Sequence, residues 1–244
     1  MLDILYRDEH IVAINKPSGL LVHRSPIDKY ETRFAIQLTR DQIGQHVYPV
    51  HRLDKPTSGV LLFALSSNVA ALLTAQFTAK HISKHYWAIV RGYTDDSGVI
   101  DYPLQEQLDK MTDSLADQEK AAQSALTHYR RLATTELPFP VGRYDTVRYS
   151  LLELQPKTGR KHQLRRHMKH IFHPIVGDTT HGDGKQNNFL RDQFGLGRLM
   201  LHARELSLTH PISGEALTLH APLADDFQQM MTVLQLSDGN ASRS

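Results

Sequence analysis

The alternation of apolar and polar positions predicts a chain of short strands interrupted by helices. Apolar runs bounded by turn residues predict strands at 3–7, 11–15, 20–22, 60–65, 86–90, 124–132, 146–154, 199–207 and 216–219. The run at 60–65 (VLLFAL) is continuously apolar, which is typical of a central strand that is covered on both faces.

Helices are predicted where apolar residues recur at intervals of three and four. Two helices are predicted at 32–43 and 224–234. A third is capped by Ser66-Ser67, and its apolar face includes Val69, Leu72, Leu73 and Phe77. A fourth follows Thr158-Gly159, with Leu164, Met168 and Ile171 on one face. The segment 182–198 is rich in Gly, Asn and Gln and predicts a long loop. The polar segment 105–123 predicts an inserted excursion or a surface helix.

This order of elements predicts the fold class and the domain organisation. Many strands with interspersed helices and no regular βαβ rhythm indicate an α+β fold. We expect one domain over residues 1–234, followed by a disordered tail at 235–244.

Composition restricts the class of protein. The 244 residues are 40% hydrophobic, which is enough for a substantial core, and the absence of cysteine excludes disulfides and thiolate chemistry. No apolar run approaches the roughly 20 residues that cross a bilayer, and the first ten residues contain no signal-peptide core. We therefore expect a cytoplasmic protein without a membrane partner.

Positive charge is concentrated in one segment although the formal net charge is only +2. Residues 154–177 contain no Asp or Glu. The cations of this segment are Lys157, Arg160, Lys161, Arg165, Arg166 and Lys169. Such a segment is commonly a solvated basic face, but the complete lack of acids and the interleaved histidines favour a surface for a polyanion.

Asp54 lies in the densest polar segment, residues 51–59 (HRLDKPTSG), directly before the predicted central strand. Pro and Gly are expected to hold a tight turn there, and the neighbouring cations favour the charged carboxylate. An aspartate that caps its own turn is the simpler alternative. The segment resembles a kinase catalytic loop, but the exchanged Leu-Asp order and the lack of a Gly-rich loop and of Asp-Phe-Gly exclude a kinase.

Metal and cofactor sites are not predicted. His167, His170 and His173 have a spacing of three residues, but no carboxylate lies beside them and adjacent cations would repel a divalent ion. The chain has no GxGxxG or Walker motif, so no nucleotide cofactor is expected.

Residues 14–23 (INKPSGLLVH), 51–59 and 158–167 (TGRKHQLRRH) together resemble the defining motifs of the RluA family of pseudouridine synthases. Further matches follow in the family's order at 86–92, 173–178, 201–203 and 210–211. The resemblance implies a central mixed, largely antiparallel sheet flanked by helices and loops, and a cofactor-free RNA isomerase that is a monomer. The first motif starts near Met1, so we expect no N-terminal S4 domain.

The resemblance also implies the site residues. Asp54 matches the catalytic carboxylate, Arg165 the arginine that pairs with it, and Tyr86 the tyrosine that stacks on the target base and is placed to relay a proton from C5. Arg52 matches the residue that fills the space of the flipped nucleotide. Three roles fit Asp54: addition to the base, attack on the sugar, or abstraction of a ribose proton. Without the resemblance, Tyr86 would be interpreted as a core residue, and Arg165 as a phosphate contact or a charge on the helix surface.

The remaining polar residues of the motifs are assigned to RNA contact. Lys16 and His51 are expected to shape the pocket or hold phosphate, and Arg160, Lys161, Arg166 and Lys169 to contact the RNA backbone. Residues 156–167 and 181–183 most resemble members that isomerise uridine 65 of certain tRNAs, which makes tRNA the expected partner. The alternatives are an rRNA or dual-specificity synthase, a non-catalytic RNA-binding protein on this fold, and a metal-dependent hydrolase.

Overall fold

Strands and helices follow one another irregularly in the computed structural model, which describes residues 1–24, 30–106 and 121–236. Within these ranges the strands are β1 (Asp3–Arg7), β2 (Ile11–Lys16), β3 (Tyr48–Pro49), β4 (Ser58–Ala64), β5 (Ser83–Arg91), β6 (Ser97–Asp101), β7 (Leu126–Leu137), β8 (Val147–Pro156), β9 (Leu201–Thr209) and β10 (Ala216–His220). The helices are α1 (Ala35–Ile43), α2 (Ser67–Thr78), α3 (Gln163–His170), α4 (Gly184–Phe194) and α5 (Asp225–Val233).

One mixed sheet contains all ten of these strands. Its order is β1-β2-β4-β9-β5-β8-β7-β6, with β10 beside β9 and β3 beside β4. Among the described residues the pair β4–β9 is parallel and every other pair is antiparallel. The predicted α+β fold with a largely antiparallel central sheet is confirmed.

Strand β4 is covered on both faces, as its continuous apolar sequence predicts. Val60 and Leu62 pack on one side in a cluster that includes Leu73 of α2, and Leu61 and Phe63 pack on the other side with Ala35 of α1. Burial of both faces fixes the position of this strand at the centre of the sheet.

Helix α2 has the predicted cap, because the Ser66 side chain accepts a hydrogen bond from the Val69 N–H at 3.3 Å. Its apolar face is narrower than predicted, since Leu72 is exposed. The predicted strand at 20–22 is wrong: only an isolated bridge between Leu21 and Phe34 forms there. The first helix begins at Ala35 rather than at residue 32.

The predicted loop at 182–198 is also wrong, because α4 occupies most of it. Asp183 caps this helix by accepting from the N–H groups of Lys185 and Gln186, and Gly195 ends it in the left-handed conformation at φ 71°. Leu190 is fully buried in the cluster that also receives Phe227 of α5. These caps and apolar contacts outweigh the polar composition that suggested a loop.

The predicted tail began at 235, but Leu236 is buried in that same cluster. The rest of the tail, 237–244, lies outside the described residues, as does most of the polar segment at 105–123. No helix in the described ranges is both long and apolar enough to cross a membrane.

Gly59 brings two distant segments into register across the sheet. Gly59 of β4 pairs with Ala203 of β9, and Ala203 pairs with Tyr86 of β5. A Cβ on Gly59 would lie 2.2 Å from the Ala203 carbonyl oxygen, so only glycine permits this approach. Since adjacent strands lie about 4.8 Å apart, the turn before β4 lies about two strand spacings from Tyr86.

Candidate active site

Asp54 lies on a turn that is held by hydrogen bonds to the loop after β2. Within the turn, the Thr57 N–H donates to the Asp54 carbonyl at 3.0 Å. From the loop, the Gly19 N–H donates to the Lys55 carbonyl at 2.9 Å, and the Ser18 hydroxyl donates to the Pro56 carbonyl at 2.7 Å. The two motifs at 14–23 and 51–59 therefore form a single structural unit that fixes the position of Asp54.

Lys16 belongs to this unit, and its position fits the expected shaping of the pocket rather than phosphate contact. Its side chain is fully buried, and Nζ donates to the carbonyl oxygens of Pro17 at 2.9 Å, Leu20 at 2.7 Å and Lys55 at 3.1 Å. Burial lowers the pKa of Lys16 to about 7, although nearby Asp54 opposes the shift. Its donors are occupied by the protein backbone, which does not fit RNA contact, and we assign Lys16 to holding the turn.

His51 also contacts the protein rather than an open surface. Its Nε2 accepts the Leu62 N–H at 2.9 Å, and its ring stacks on Phe77 with centroids 5.0 Å apart. Burial, with a smaller effect of Lys84, lowers the pKa of His51 to about 3, so the ring is neutral at neutral pH. A neutral imidazole that is hydrogen-bonded to β4 does not fit phosphate contact. His51 instead holds the segment before the turn against β4.

Arg165 joins Asp54 to a second carboxylate that the sequence did not single out. Its Nε and Nη2 donate to the two oxygens of Asp178 at 2.7 and 2.8 Å, and Nη1 lies 3.4 Å from Asp54 Oδ2. The side chains of Arg165 and Asp178 are 5% and 1% exposed, whereas Asp54 is 29% exposed. The bidentate pair thus fixes a buried guanidinium whose remaining nitrogen faces the more accessible carboxylate.

Asp178 is charged and is held by the loop that carries it. Burial favours its neutral form, but hydrogen bonds from Arg165 and from the backbone N–H groups of His181 and Thr180 outweigh it and lower the pKa of Asp178. Asn187 of α4 fixes the same loop: its Nδ2 donates to the Asp178 carbonyl at 2.9 Å, and its Oδ1 accepts the Gly177 N–H at 2.9 Å.

The contacts of the Asp54 carboxylate fall on one of its oxygens. Arg165 Nη1 at 3.4 Å and His162 Nε2 at 3.9 Å both approach Oδ2. Within the described ranges no side chain makes a hydrogen bond to Oδ1. The arrangement orients the carboxylate through Oδ2 and leaves Oδ1 available for a reaction.

Tyr86 lies where the apolar clusters on either side of the site meet. It packs against the cluster that contains Leu53 and Ala203 and also against the one that contains Leu154 and Leu164. Burial raises the pKa of Tyr86, and the negative charge of Asp54 raises it further. The phenol is therefore neutral at neutral pH, and it lies close enough to Asp54 for the negative charge of the carboxylate to act on it.

The other predicted cations are mostly exposed, and two of them donate to backbone carbonyls. Arg52, Arg160, Lys161 and Lys169 are exposed. Arg160 Nε donates to the Ser124 carbonyl at 3.2 Å, and Arg166 Nη1 donates to the Gln105 carbonyl at 2.9 Å. The structure thus brings Asp54, Tyr86 and Arg165 together, with exposed cations on α3 and on the segment before it.

The three histidines at intervals of three residues, 167, 170 and 173, do not converge on one point. His167 is buried and bonds Thr127 Oγ1 and the Tyr102 carbonyl, His170 stacks on Tyr102, and His173 Nδ1 lies 2.9 Å from the Arg91 carbonyl. In the described part of the chain no cluster of three or more His, Asp or Glu residues is placed to hold a metal ion.

Sequence reasoning did not assign roles to Asp178, His162, His181 and Asn187. Three of them were inside recognised motifs, and that position was the available signal: Asp178 at 173–178, His162 at 158–167 and His181 at 181–183. Asn187 lies in the segment expected to be a loop, where no pattern distinguishes it from its neighbours.

The model of the RNA pseudouridylate synthase family matches residues 10–170. The chain is 60% identical over 232 residues to tRNA pseudouridine synthase C of Pectobacterium carotovorum subsp. carotovorum, and the alignment covers 95% of this chain and 62% of that protein. It is 58% identical to the protein of the same name from Yersinia pestis, covering 95% of this chain and 90% of that protein. The Vibrio cholerae protein of that name is 56% identical, with 95% of both chains covered.

Solved structures show the same fold. Human RNA Pseudouridylate Synthase Domain Containing 4 superimposes with a TM-score of 0.72 and 29% identity, over 96% of this chain and 94% of that one. Human RNA Pseudouridylate Synthase Domain Containing 1 superimposes with a TM-score of 0.68 at 24% identity, over 97% and 96% of the two chains.

Proposed function

Because the chain belongs to the RNA pseudouridylate synthase family, we propose that it converts uridine 65 of tRNA to pseudouridine, with Asp54 as the reacting carboxylate. The observation that carries the proposal is the ion-pair chain Asp178–Arg165–Asp54, which ends on the accessible carboxylate beside Tyr86. The tRNA substrate is taken from the names of the relatives.

The reaction requires little beyond such a site. The N1–C1′ bond of uridine breaks, the uracil turns, and a C5–C1′ bond forms, while the proton on C5 is lost and N1 gains one. No electrons or groups are transferred to another molecule. An ionised carboxylate fixed by a buried arginine, next to an apolar wall that holds the detached base, supplies what these steps need.

Each residue has a defined part in this proposal. Asp54 presents Oδ1 to the flipped nucleoside, by addition to the base, attack on the sugar, or abstraction of a ribose proton. Arg165 orients Asp54 through its contact with Oδ2. Tyr86 stacks on the uracil, and its neutral hydroxyl relays the C5 proton by accepting it on oxygen while its own proton passes to solvent. Arg52, exposed two residues before Asp54, takes the space of the flipped nucleotide.

The substrate assignment is tested by mapping pseudouridine in unmodified tRNA transcripts that are incubated with the protein. We expect one new pseudouridine at position 65. Modification of rRNA transcripts alone would favour the rRNA alternative, and tight binding of tRNA with no pseudouridine after long incubation would favour a non-catalytic RNA-binding protein.

We assign RNA backbone contact to Arg160, Lys161, Arg166 and Lys169, and the salt dependence of binding tests this surface. Replacing Lys161 and Lys169, both exposed, by Gln is expected to reduce the slope of log K against log salt by about 2, since each phosphate contact contributes about 0.9. Binding of tRNA is measured by fluorescence anisotropy between about 50 and 200 mM salt.

The matched control replaces Arg40 and Arg191 by Gln. These arginines lie on α1 and α4 and each contacts the aspartate that follows it, at 2.8 and 3.2 Å. We expect the slope of log K against log salt for this double arginine variant to equal that of the unmodified protein. An unchanged slope in the double lysine variant would remove Lys161 and Lys169 from the RNA-binding surface.

A further inference from the structure

His162 and His181 form a pair beside the reacting carboxylate, and neither residue has a role in the proposal so far. His162 Nδ1 lies 3.1 Å from His181 Nε2, and the rings are 5.3 Å apart at an interplanar angle of 74°. On its other side, His162 Nε2 lies 3.9 Å from Asp54 Oδ2. One imidazole therefore stands between Asp54 and a second histidine.

The backbone at His162 is held in a rare conformation. His162 precedes the first turn of α3 with φ 55° and ψ 27°, in the left-handed region that non-glycine residues seldom adopt. Gln163 fixes the residues that precede His162, because its side chain accepts hydrogen bonds from the Thr158 hydroxyl and from the Arg160 N–H. This conformation places the imidazole ring between the two partners, which is typical of strain retained at a functional site.

The protonation state of the pair follows from its surroundings. Burial lowers the pKa of His181 to about 4, and Arg165 adds to the shift. Burial also lowers the pKa of His162, with Arg165 and Lys161 acting in the same direction and Asp54 and Asp178 against it. Both rings are thus neutral at neutral pH, and each carries one N–H and one lone pair.

One proton lies between His162 Nδ1 and His181 Nε2. Its position decides whether His162 Nε2 turns a lone pair or an N–H toward Asp54. If His162 Nδ1 carries the proton, the lone pair of His162 Nε2 faces the carboxylate and repels it. If His181 Nε2 carries the proton, it donates to His162 Nδ1, and the Nε2–H of His162 faces Asp54 Oδ2. The negative charge of Asp54 favours the second arrangement.

We propose that His162 is a positioning residue for Asp54, held by His181 in the tautomer that directs its Nε2–H toward Oδ2. Together with Arg165 it fixes Oδ2 and thereby presents Oδ1 to the nucleoside. At 3.9 Å the contact is electrostatic rather than a formed hydrogen bond, and as a neutral donor His162 adds no second full charge. The effect of His162 on catalysis rests on the proposed pseudouridine synthase activity. The tautomer of His162 does not depend on that activity.

The tautomer is tested without substrate by NMR of protein that carries 15N-labelled histidine. We expect long-range 15N–1H correlations to show His162 protonated at Nε2 in the unmodified protein. Asp54→Asn and His181→Leu are each expected to shift His162 toward a mixture of tautomers, because one removes the charge and the other the donor. Protonation of His162 at Nδ1 in the unmodified protein would overturn the proposal.

The kinetic test uses His162→Asn, since asparagine tolerates the left-handed backbone but its amide does not reach Asp54. We expect kcat on tRNA to fall at least about tenfold with little change in KM, because a misplaced reacting group reduces the chemical step. His162→Gln, whose amide reaches further, is expected to lose less than His162→Asn. His181→Gln, which can still donate to Nδ1, is expected to lose less than His181→Leu.

The control is His220→Asn, a histidine on β10 with a side chain that is 59% exposed, for which we expect unchanged kinetics. Circular dichroism confirms that each variant is folded. If His162→Asn retains kcat within twofold, the positioning role is wrong. If the unmodified protein forms no pseudouridine in any RNA, the proposed function fails, while the NMR result still decides whether the pair is arranged as inferred.

Discussion

The Asp54→Asn variant is expected to lose pseudouridine formation by at least about 10³-fold in kcat, because replacement of a reacting group removes orders of magnitude from the rate. Asparagine has nearly the same shape as aspartate and keeps the turn, but it lacks the charge that all three proposed roles of Asp54 require. The loss corresponds to about 4 kcal/mol in activation free energy. It is measured by single-turnover assays of pseudouridine in tRNA.

The thermal stability of Asp54→Asn shows whether its loss of activity comes from the chemistry or from unfolding. Asp54 is partly exposed, and Arg165 keeps its bidentate partner Asp178 when the charge at position 54 is removed. We therefore expect the thermal midpoint to change little. Asp41→Asn removes the charge of a more exposed aspartate that pairs with an arginine at 2.8 Å, and should leave the kinetics unchanged. An Asp54→Asn protein with a tenth or more of normal activity would disprove the assignment of Asp54.

The central part of the fold was predictable because its signals are local. The continuous apolar run at β4 and the Ser66 cap of α2 require knowledge of only a few neighbouring residues. The loop predicted at 182–198 was wrong because its polar residues have tertiary partners. Asn187 reads as a loop residue in sequence, yet it lies on a helix and bonds the backbone at Gly177 and Asp178.

The site was predicted to a different extent at each residue. Asp54 and Arg165 are 111 positions apart, so only the resemblance of their motifs to a known family could associate them before the structure. Lys16 and His51 were expected to shape the pocket or to hold phosphate, and their sequence positions do not separate these two roles. Their contacts favour the first role, since Lys16 donates to three carbonyls and His51 accepts the Leu62 N–H.

Removal of the Asp178 charge is expected to affect both stability and activity. Asp178→Asn leaves the Arg165 guanidinium, 5% exposed, without its main counter-charge, and breaking such a buried pair costs about 3–5 kcal/mol. The amide also turns a donor toward a guanidinium that can only donate. We expect a correspondingly lower free energy of unfolding in urea, together with a large loss of kcat because Nη1 no longer orients Asp54.

Matched variants separate the two effects. Asp192→Asn breaks an aspartate–arginine pair whose side chains are 71% and 60% exposed, and is expected to cost less than about 1 kcal/mol. The double variant Arg165→Met/Asp178→Leu removes both charges and should recover much of the lost stability without recovering activity. A single variant as stable as Asp192→Asn would contradict the structural role of Asp178.

The stability that Asp178 contributes is expected to depend on pH in a defined direction. The pKa of Asp178 is lowered in the folded protein, so its stabilising contribution is complete above the unfolded value of about 3.9 and is lost as the pH falls through the folded value. The difference in unfolding free energy between the unmodified protein and Asp178→Asn is therefore expected to stay constant from about pH 8 to 5 and to narrow below about pH 4. A difference that instead narrows between pH 8 and 6 would show that a histidine, not Asp178, controls the stability of this pair, because histidines titrate in that range.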